Sequence, residues 1–322
     1  LPRTLQWSAG AQRRLFPRAV LDVSYLGSRG SRLIQPVDAN AARPPDVVAA
    51  DGLVNLARPY PGYAGITTRQ TTARSDYHAL AVGLRYDSGR AGTVSVAYTL
   101  GRARTTATND RDGIDLPQDR AFLEAEYALA RTDRTHVFTA SWVYELPLFP
   151  GATSGLVKAA LQGWQLSGIA TFWSGPPVSR LVNGNTNGGR RGTRVDQGGD
   201  PFADLPASGP GYVYWFDPGA YAPPADGAFG STGRAPFRLP GVDQWDLTLA
   251  KSWSLPRGLR LQLRADFLNA FNHTQLSPEG IQNVCNALAE GTCALGGADS
   301  FGRITSTRNP REVQLGLRLS WN

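Results

Sequence analysis

The chain closes on a run that leaves few folding options. In Val313-Gln314-Leu315-Gly316-Leu317-Arg318-Leu319-Ser320-Trp321 every odd position is apolar and every even position is polar or glycine. A period of two sends successive side chains to opposite faces of an extended strand. Repeated in segments of about ten residues, this pattern is the signature of an outer-membrane β-barrel, with lipid on one face and a wet lumen on the other.

Eight further segments carry the pattern with varying clarity. The nine strands are expected at 4–16, 19–28, 76–87, 91–103, 134–147, 161–174, 243–254, 258–272 and 311–321. Their connections alternate in length. Tight turns at Phe16-Pro17-Arg18, Asp87-Ser88-Gly89-Arg90 and Ser254-Leu255-Pro256-Arg257-Gly258, and a modest one at 148–160, separate long polar segments at 29–75, 104–133, 175–242 and 273–310. Long structureless loops argue against a compact soluble domain. Outer-membrane barrels, by contrast, have short periplasmic turns and long extracellular loops. The rhythm thus orients the chain, with the turns and Asn322 on the periplasmic side.

Single-chain bacterial barrels have an even strand number, because each hairpin returns to the same side. Nine strands, no initiator Met and no leader at Leu1 are read as a piece of a longer protein. The expected fold is all-β. It is the C-terminal portion, about nine antiparallel strands, of a large transmembrane β-barrel with long extracellular loops. Residues 1–322 form one partial barrel domain.

The faces can be assigned from the two clearest strands. Leu259, Leu261, Leu263, Ala265 and Phe267 share one face, and Arg260, Gln262, Arg264 and Asp266 the other. Trp245, Leu247, Leu249 and Trp253 point outward, opposite Gln244, Asp246, Thr248 and Ala250. Trp245 and Trp253 are eight residues apart. At ~3.3 Å per residue and a ~40° tilt, that spans about 20 Å along the membrane normal, near the height of the apolar band. Trp245, Trp253, Phe267 and Trp321 are therefore membrane-girdle candidates. Arg260, Gln262, Arg264, Asp266, Gln314 and Arg318 are lumen-facing candidates, either paired wall residues or a basic lining. Lys251 falls on the lipid face near the periplasmic end, where its long stem can snorkel. A soluble β-sandwich also alternates, but its strands are usually five or six residues long.

Composition excludes other classes. The net charge of +7 is carried almost wholly by Arg, since Lys158 and Lys251 are the only lysines. No dense basic run with interleaved aromatics supports nucleic-acid binding. No run approaches the ~18 apolar residues of a membrane helix, and mean hydropathy is negative. Two cysteines, Cys285 and Cys293, cannot by themselves fill a structural zinc site. A disulfide suits them better in an exported protein.

Several segments resemble the barrel of TonB-dependent receptors of the Oar-like type. They are Gln6-Trp7 through Gln12-Arg13, Val20 through Gly30 with its Tyr25-Leu26-Gly27-Ser28-Arg29-Gly30 corner, and Tyr77-His78-Ala79-Leu80. Further on come Gly163-Trp164-Gln165-Leu166-Ser167-Gly168 with Ser174-Gly175-Pro176-Pro177, Trp215-Phe216-Asp217-Pro218, and Phe229-Gly230-Ser231-Thr232-Gly233-Arg234. The most specific are Phe267-Leu268-Asn269-Ala270-Phe271-Asn272-His273 and Phe301 through Arg311. The resemblance implies an outer-membrane transporter in a Gram-negative-type envelope, taking up or passing an unidentified ligand. It also implies a plug and N-terminal domains outside this sequence, a TonB complex acting through that plug, the barrel assembly machinery and outer-membrane lipid as partners, and no cofactor.

Catalytic patterns are missing. His78, His136 and His273 lie on separate segments without metal-ligand spacing. No Gly-x-Ser-x-Gly elbow occurs. Asp110-Arg111-Asp112-Gly113-Ile114-Asp115 lacks a calcium-loop ladder, and Asn183 through Gly192 reads as a mobile loop tip, not a phosphate loop. An enzyme is not expected. The alternative is a secreted or surface β-rich adhesin or glycan-binding module using Tyr212 to Trp215.

Overall fold

The computed structural model describes residues 1–110, 116–148, 155–179, 181–183, 194–282, 284–285 and 301–321. Nine long strands form one antiparallel sheet in sequence order: β1 Arg3–Phe16, β2 Ala19–Asp38, β3 Thr67–Asp87, β4 Gly92–Thr105, β5 His136–Leu146, β6 Trp164–Trp173, β7 Val242–Ser254, β8 Leu259–Leu268 and β9 Glu312–Trp321. The short pair Ala128–Leu129 adds to the end of β4. Every expected strand is present.

The register carries the two-faced pattern across the whole sheet. One row of directly opposed residues reads Leu21, Leu84, Val96, Ala140, Ala170, Trp245 from β2 to β7. A neighbouring row on the other face reads Asp22, Gly83, Ala97, Thr139, Thr171, Gln244. Opposed residues share a face and touch, so the first row belongs to a continuous apolar surface and the second to a polar one. Leu80, Leu84, Val94, Leu100, Leu263, Leu315, Leu317 and Leu319 remain exposed on the apolar side. In a soluble protein a patch that large would be covered.

Three expectations need correction. First, β2 and β3 run about ten residues past their expected ends, to Asp38 and from Thr67. The outer part of β2 is no longer two-faced, because Gln35, Pro36, Val37 and Asp38 are all buried in succession. The rule of alternation therefore missed them, and β-bulges between Gly30 and Gln35 break the phase. Second, the connection at 148–160 contains a helix, α2, Gly155–Leu161. A first helix, α1, Pro44–Ala49, starts on the prolines of the first loop.

Third, the long connections are not structureless. Val178, Leu181, Val195, Phe216, Ala220, Tyr221, Leu239 and Phe301 form a buried core of their own, joined by Trp215, Phe237 and Ile281. Phe216 lies at its centre, with ring contacts of 5.5 Å to Tyr221, 5.1 Å to Phe237 and 5.0 Å to Phe301. Short ladders pin the loops together, Val213–Tyr214 on Arg303–Ile304 and Asp196–Gln197 on Tyr221–Ala222. The first loop is gathered on Asn40, whose amide donates to the carbonyls of Tyr60, Tyr63 and Ala64 at 3.1, 3.1 and 2.8 Å. The Asp110–Asp115 segment beyond Asp110, most of the Asn183–Gly192 tip, and Cys293 with the Cys285 side chain lie outside the description.

Among the described residues, β1 and β9 each have one partner strand, β2 and β8. The sheet is therefore an open arc, not a closed barrel.

The face assignment predicts unequal costs for one substitution at adjacent positions. Val96→Arg on the apolar face should lower folding stability in vesicles by about 2–4 kcal/mol, whereas Ala97→Arg on the polar face should cost well under half of that. Urea titration of the membrane-inserted protein measures both.

Candidate functional site

The polar face of β4 to β9 lines a cleft of about 560 Å³. Its wall includes Ser95, Ser141, Ser167, Asp246, Thr248, Arg264, Asp266 and Gln314. These come from β4 to β9, so the cleft exists only because the register lines up their polar-face positions. Two carboxylates dominate it. Asp266 is held by Arg264, whose Nε lies 2.8 Å from both its oxygens, and by the Thr248 hydroxyl. Asp246 accepts from the Gln244 amide at 3.0 Å and from the Asn269 backbone N–H at 2.9 Å. Asp266 is thus neutralised by a cation, whereas the partners of Asp246 are uncharged.

Of the six lumen-facing candidates, Arg264, Asp266 and Gln314 line this cleft, with Gln314 opposite Asp266 in register. Arg260, Gln262 and Arg318 occupy the same face nearer the short turns. Arg260 and Gln262 both approach the Ser252 hydroxyl at 3.4 Å, and Arg318 stands opposite Gln262. The four girdle candidates all lie on the apolar face. Trp245 and Phe267 stand at its long-loop end, Trp253 and Trp321 at its short-turn end. Trp245 is half-buried in an aromatic cluster with Trp142, Phe172 and Phe271. Two Tyr–His pairs stand near the long-loop end of this face. The Tyr25 hydroxyl is 2.7 Å from His78 Nδ1, and that of Tyr98 is 2.8 Å from His136 Nδ1.

Sequence reading did not find the groups that tie the folded loops over the end of the sheet. Arg194 and Glu126 form an ion pair with side chains only 5% and 3% exposed. Arg238 pairs with buried Asp133 and reaches the Gly175 carbonyl at 3.0 Å. Gln118 bridges the same two loops, accepting from the Arg194 backbone at 2.6 Å and donating to the Gly230 carbonyl at 3.1 Å. Arg43 reaches Asp119 at 3.1 Å, joining the first loop to the second. These partners are 63 to 112 residues apart in sequence, so no local pattern marks them. A second polar cleft of about 460 Å³ lies where the loops meet β7 to β9, lined by Gln244, Asn269, Glu279, Arg308 and Glu312. Asn269, which adopts the left-handed conformation at φ 50°, turns the chain there and holds His273 N–H at 3.0 Å.

Burial also moves two loop phenols. Tyr221 has its pKa raised far above the ordinary value by burial in the loop core, with Asp200 adding to it. Tyr127 is raised by burial and by donating to Asp76 at 2.8 Å, partly offset by Arg104 and Arg74 beside its ring.

The sequence profile described as an outer membrane beta barrel domain matches residues 1–314, nearly the whole chain. The chain belongs to this outer membrane barrel family. Its apolar face is therefore the surface that meets outer-membrane lipid. No curated protein matches the sequence. Among solved structures, the outer membrane transporter YddB from Escherichia coli is similar with a TM-score of 0.41 and 8% identity. The match covers 98% of this chain and 32% of that one, so this barrel domain spans about a third of that protein's length.

Two predictions concern the loops of this barrel domain. Arg194→Met leaves Glu126 charged and buried and should destabilise the folded loops by about 3–5 kcal/mol; Arg194→Met with Glu126→Leu should recover most of that. Limited proteolysis between 174 and 242 reads the difference. The raised Tyr221 pKa makes its contribution complete below about pH 10 and lost as pH climbs through the folded value. The Tyr221 hydroxyl is buried without a hydrogen-bond partner among the described residues. Tyr221→Phe should therefore cost no stability near neutrality and flatten the alkaline loss, followed by thermal unfolding between pH 8 and 12.

Proposed function

We propose that this chain is part of the wall and the outer loop platform of an outer-membrane transporter of the TonB-dependent, Oar-like type. In this reading the remaining strands that close the barrel, and a plug inside it, are supplied by sequence outside residues 1–322. The long loops face the cell exterior and capture a ligand. The polar face from Arg260 to Arg318 borders its path, and the short turns face the periplasm. Energy reaches the plug through TonB from the inner-membrane proton gradient.

The observation that carries the reading is the pairing of a polar, side-chain-lined face with a folded loop platform at one end only. A barrel that served merely as an anchor would need neither the cleft at Asp246 and Asp266 nor loops with a buried core at Phe216. The family-like segments quoted above add to this. They recur in order along nearly the whole chain, and several of them, such as Gly163–Gly168 and Phe267–His273, sit at strand starts and ends. The open edges of β1 and β9 point the same way, because unpaired backbone groups cannot face lipid.

The full-length gene tests the reading. The protein should fractionate with the outer membrane and migrate differently on a gel before and after boiling. Ligand accumulation, once a ligand is found by growth complementation, should stop when the proton gradient is collapsed. Uptake that persists without the gradient, or a soluble protein with unchanged migration, would remove the proposal. Arg264→Gln with Asp266→Asn, which keeps the pair's shape and cancels its charges, should change uptake several-fold while leaving heat-dependent migration intact.

A further inference from the structure

Lys251 occupies an outward position that ought to be hydrocarbon-exposed, yet it is 1% exposed. Its register neighbours are Trp164 on β6 and Leu263 on β8, both on the lipid-contacting face. The expectation of a snorkelling lysine is therefore corrected, because the ammonium does not reach water. It donates to the Gln162 carbonyl, just past the end of α2, and lies 5.2 and 5.4 Å from the ring centres of Trp164 and Trp253. Those two indoles donate to α2 as well, Trp253 to the Ala159 carbonyl at 2.8 Å and Trp164 to that of Ala160 at 3.0 Å. Three donors on the barrel's outer face thus satisfy carbonyls at the C-terminal end of one short helix, where such acceptors are otherwise orphaned and the helix dipole favours a cation.

Gly163 makes this possible. It sits at φ +79°, and a Cβ there would stand 2.5 Å from the Ser252 carbonyl oxygen. The chain turns sharply against β7, laying α2 on the apolar face and not beneath the barrel. The side of α2 away from the wall presents Leu156, 85% exposed, and Val157, 42% exposed. Both continue the lipid-contacting surface at its short-turn end.

We propose that α2 lies in the plane of the membrane at the short-turn end and inserts Leu156 and Val157 into the headgroup–acyl boundary of that leaflet, clamped to the wall by Lys251, Trp164 and Trp253. A helix with its apolar side to the bilayer and its polar backbone ends satisfied suits this boundary. At ~1.5 Å per residue it is about 10 Å long, enough to fix the depth of one side of the barrel. The proposal rests on membership of the outer membrane barrel family and not on the transport reading.

The test uses the full-length protein in phosphatidylcholine–phosphatidylglycerol vesicles, with Cys285→Ser and Cys293→Ser to remove native thiols. A nitroxide on Leu156→Cys, and separately on Val157→Cys, reports collision with oxygen, which partitions into lipid, and with a water-soluble nickel chelate. Oxygen should exceed the chelate several-fold at both sites, and the order should reverse at Ser88→Cys on a short turn at the same end. Equal chelate access at 156, 157 and 88 would overturn the proposal. Trp253→Phe keeps an aromatic ring at this position and loses the indole N–H; it should raise chelate access at 156, whereas Trp321→Phe should not. An unchanged 156 label in Trp253→Phe would overturn the clamp.

Discussion

The backbone hydrogen-bond ladder is the constraint on which everything else in this protein depends. Within hydrocarbon no water satisfies an N–H or C=O, so each strand must be paired along its length. Once pairing is obligatory, register decides chemistry. A slip of one residue between β7 and β8 would carry Arg264 and Asp266 into lipid and Leu263 and Phe267 into the cleft. The opposed pairs Leu247–Phe267 and Thr248–Asp266 between β7 and β8, which extend the rows that run from β2 to β7, keep that from happening, because each inner strand's phase is reinforced by two neighbours. The polar cleft is a consequence of the same alignment that makes the outside apolar.

Beyond the band the physics changes. At the outer end of β2, from Gln35 to Asp38, burial on both faces replaces alternation as the organising rule. The loops reach a packed state by two means. An aromatic core around Phe216 supplies apolar burial, and long-range charged pairs at Arg194–Glu126 and Arg238–Asp133 set which loop meets which. Buried pairs of this kind are costly to break on one side, so they favour a single arrangement of loops over many.

The strand number, their order and most of their ends were legible from alternation and turn residues. So was the sharing of one face by Arg260, Gln262, Arg264, Asp266, Gln314 and Arg318, and of the opposite face by Trp245, Trp253, Phe267 and Trp321. The reason is local, since a period of two needs only neighbouring residues. The loop core was not legible, because Val178, Phe216, Tyr221 and Phe301 are spread through Gly- and Pro-rich text without any period. Lys251 was placed on the correct face but given the wrong surroundings, since the helix that covers it begins almost a hundred residues earlier. Asp246 and Asn269 were visible as residues, but their contact at 2.9 Å depends on where β8 ends.

By itself, then, the sequence determined an all-β chain with one face for lipid and one for water, because side-chain alternation along a strand is fixed by backbone geometry alone. Tertiary structure decided which polar residues share the cleft, which loops fold onto one another and which lysine is shielded from the membrane. Those outcomes depend on partners tens to more than a hundred residues apart, and only register, turning glycines and buried charge pairs bring them together.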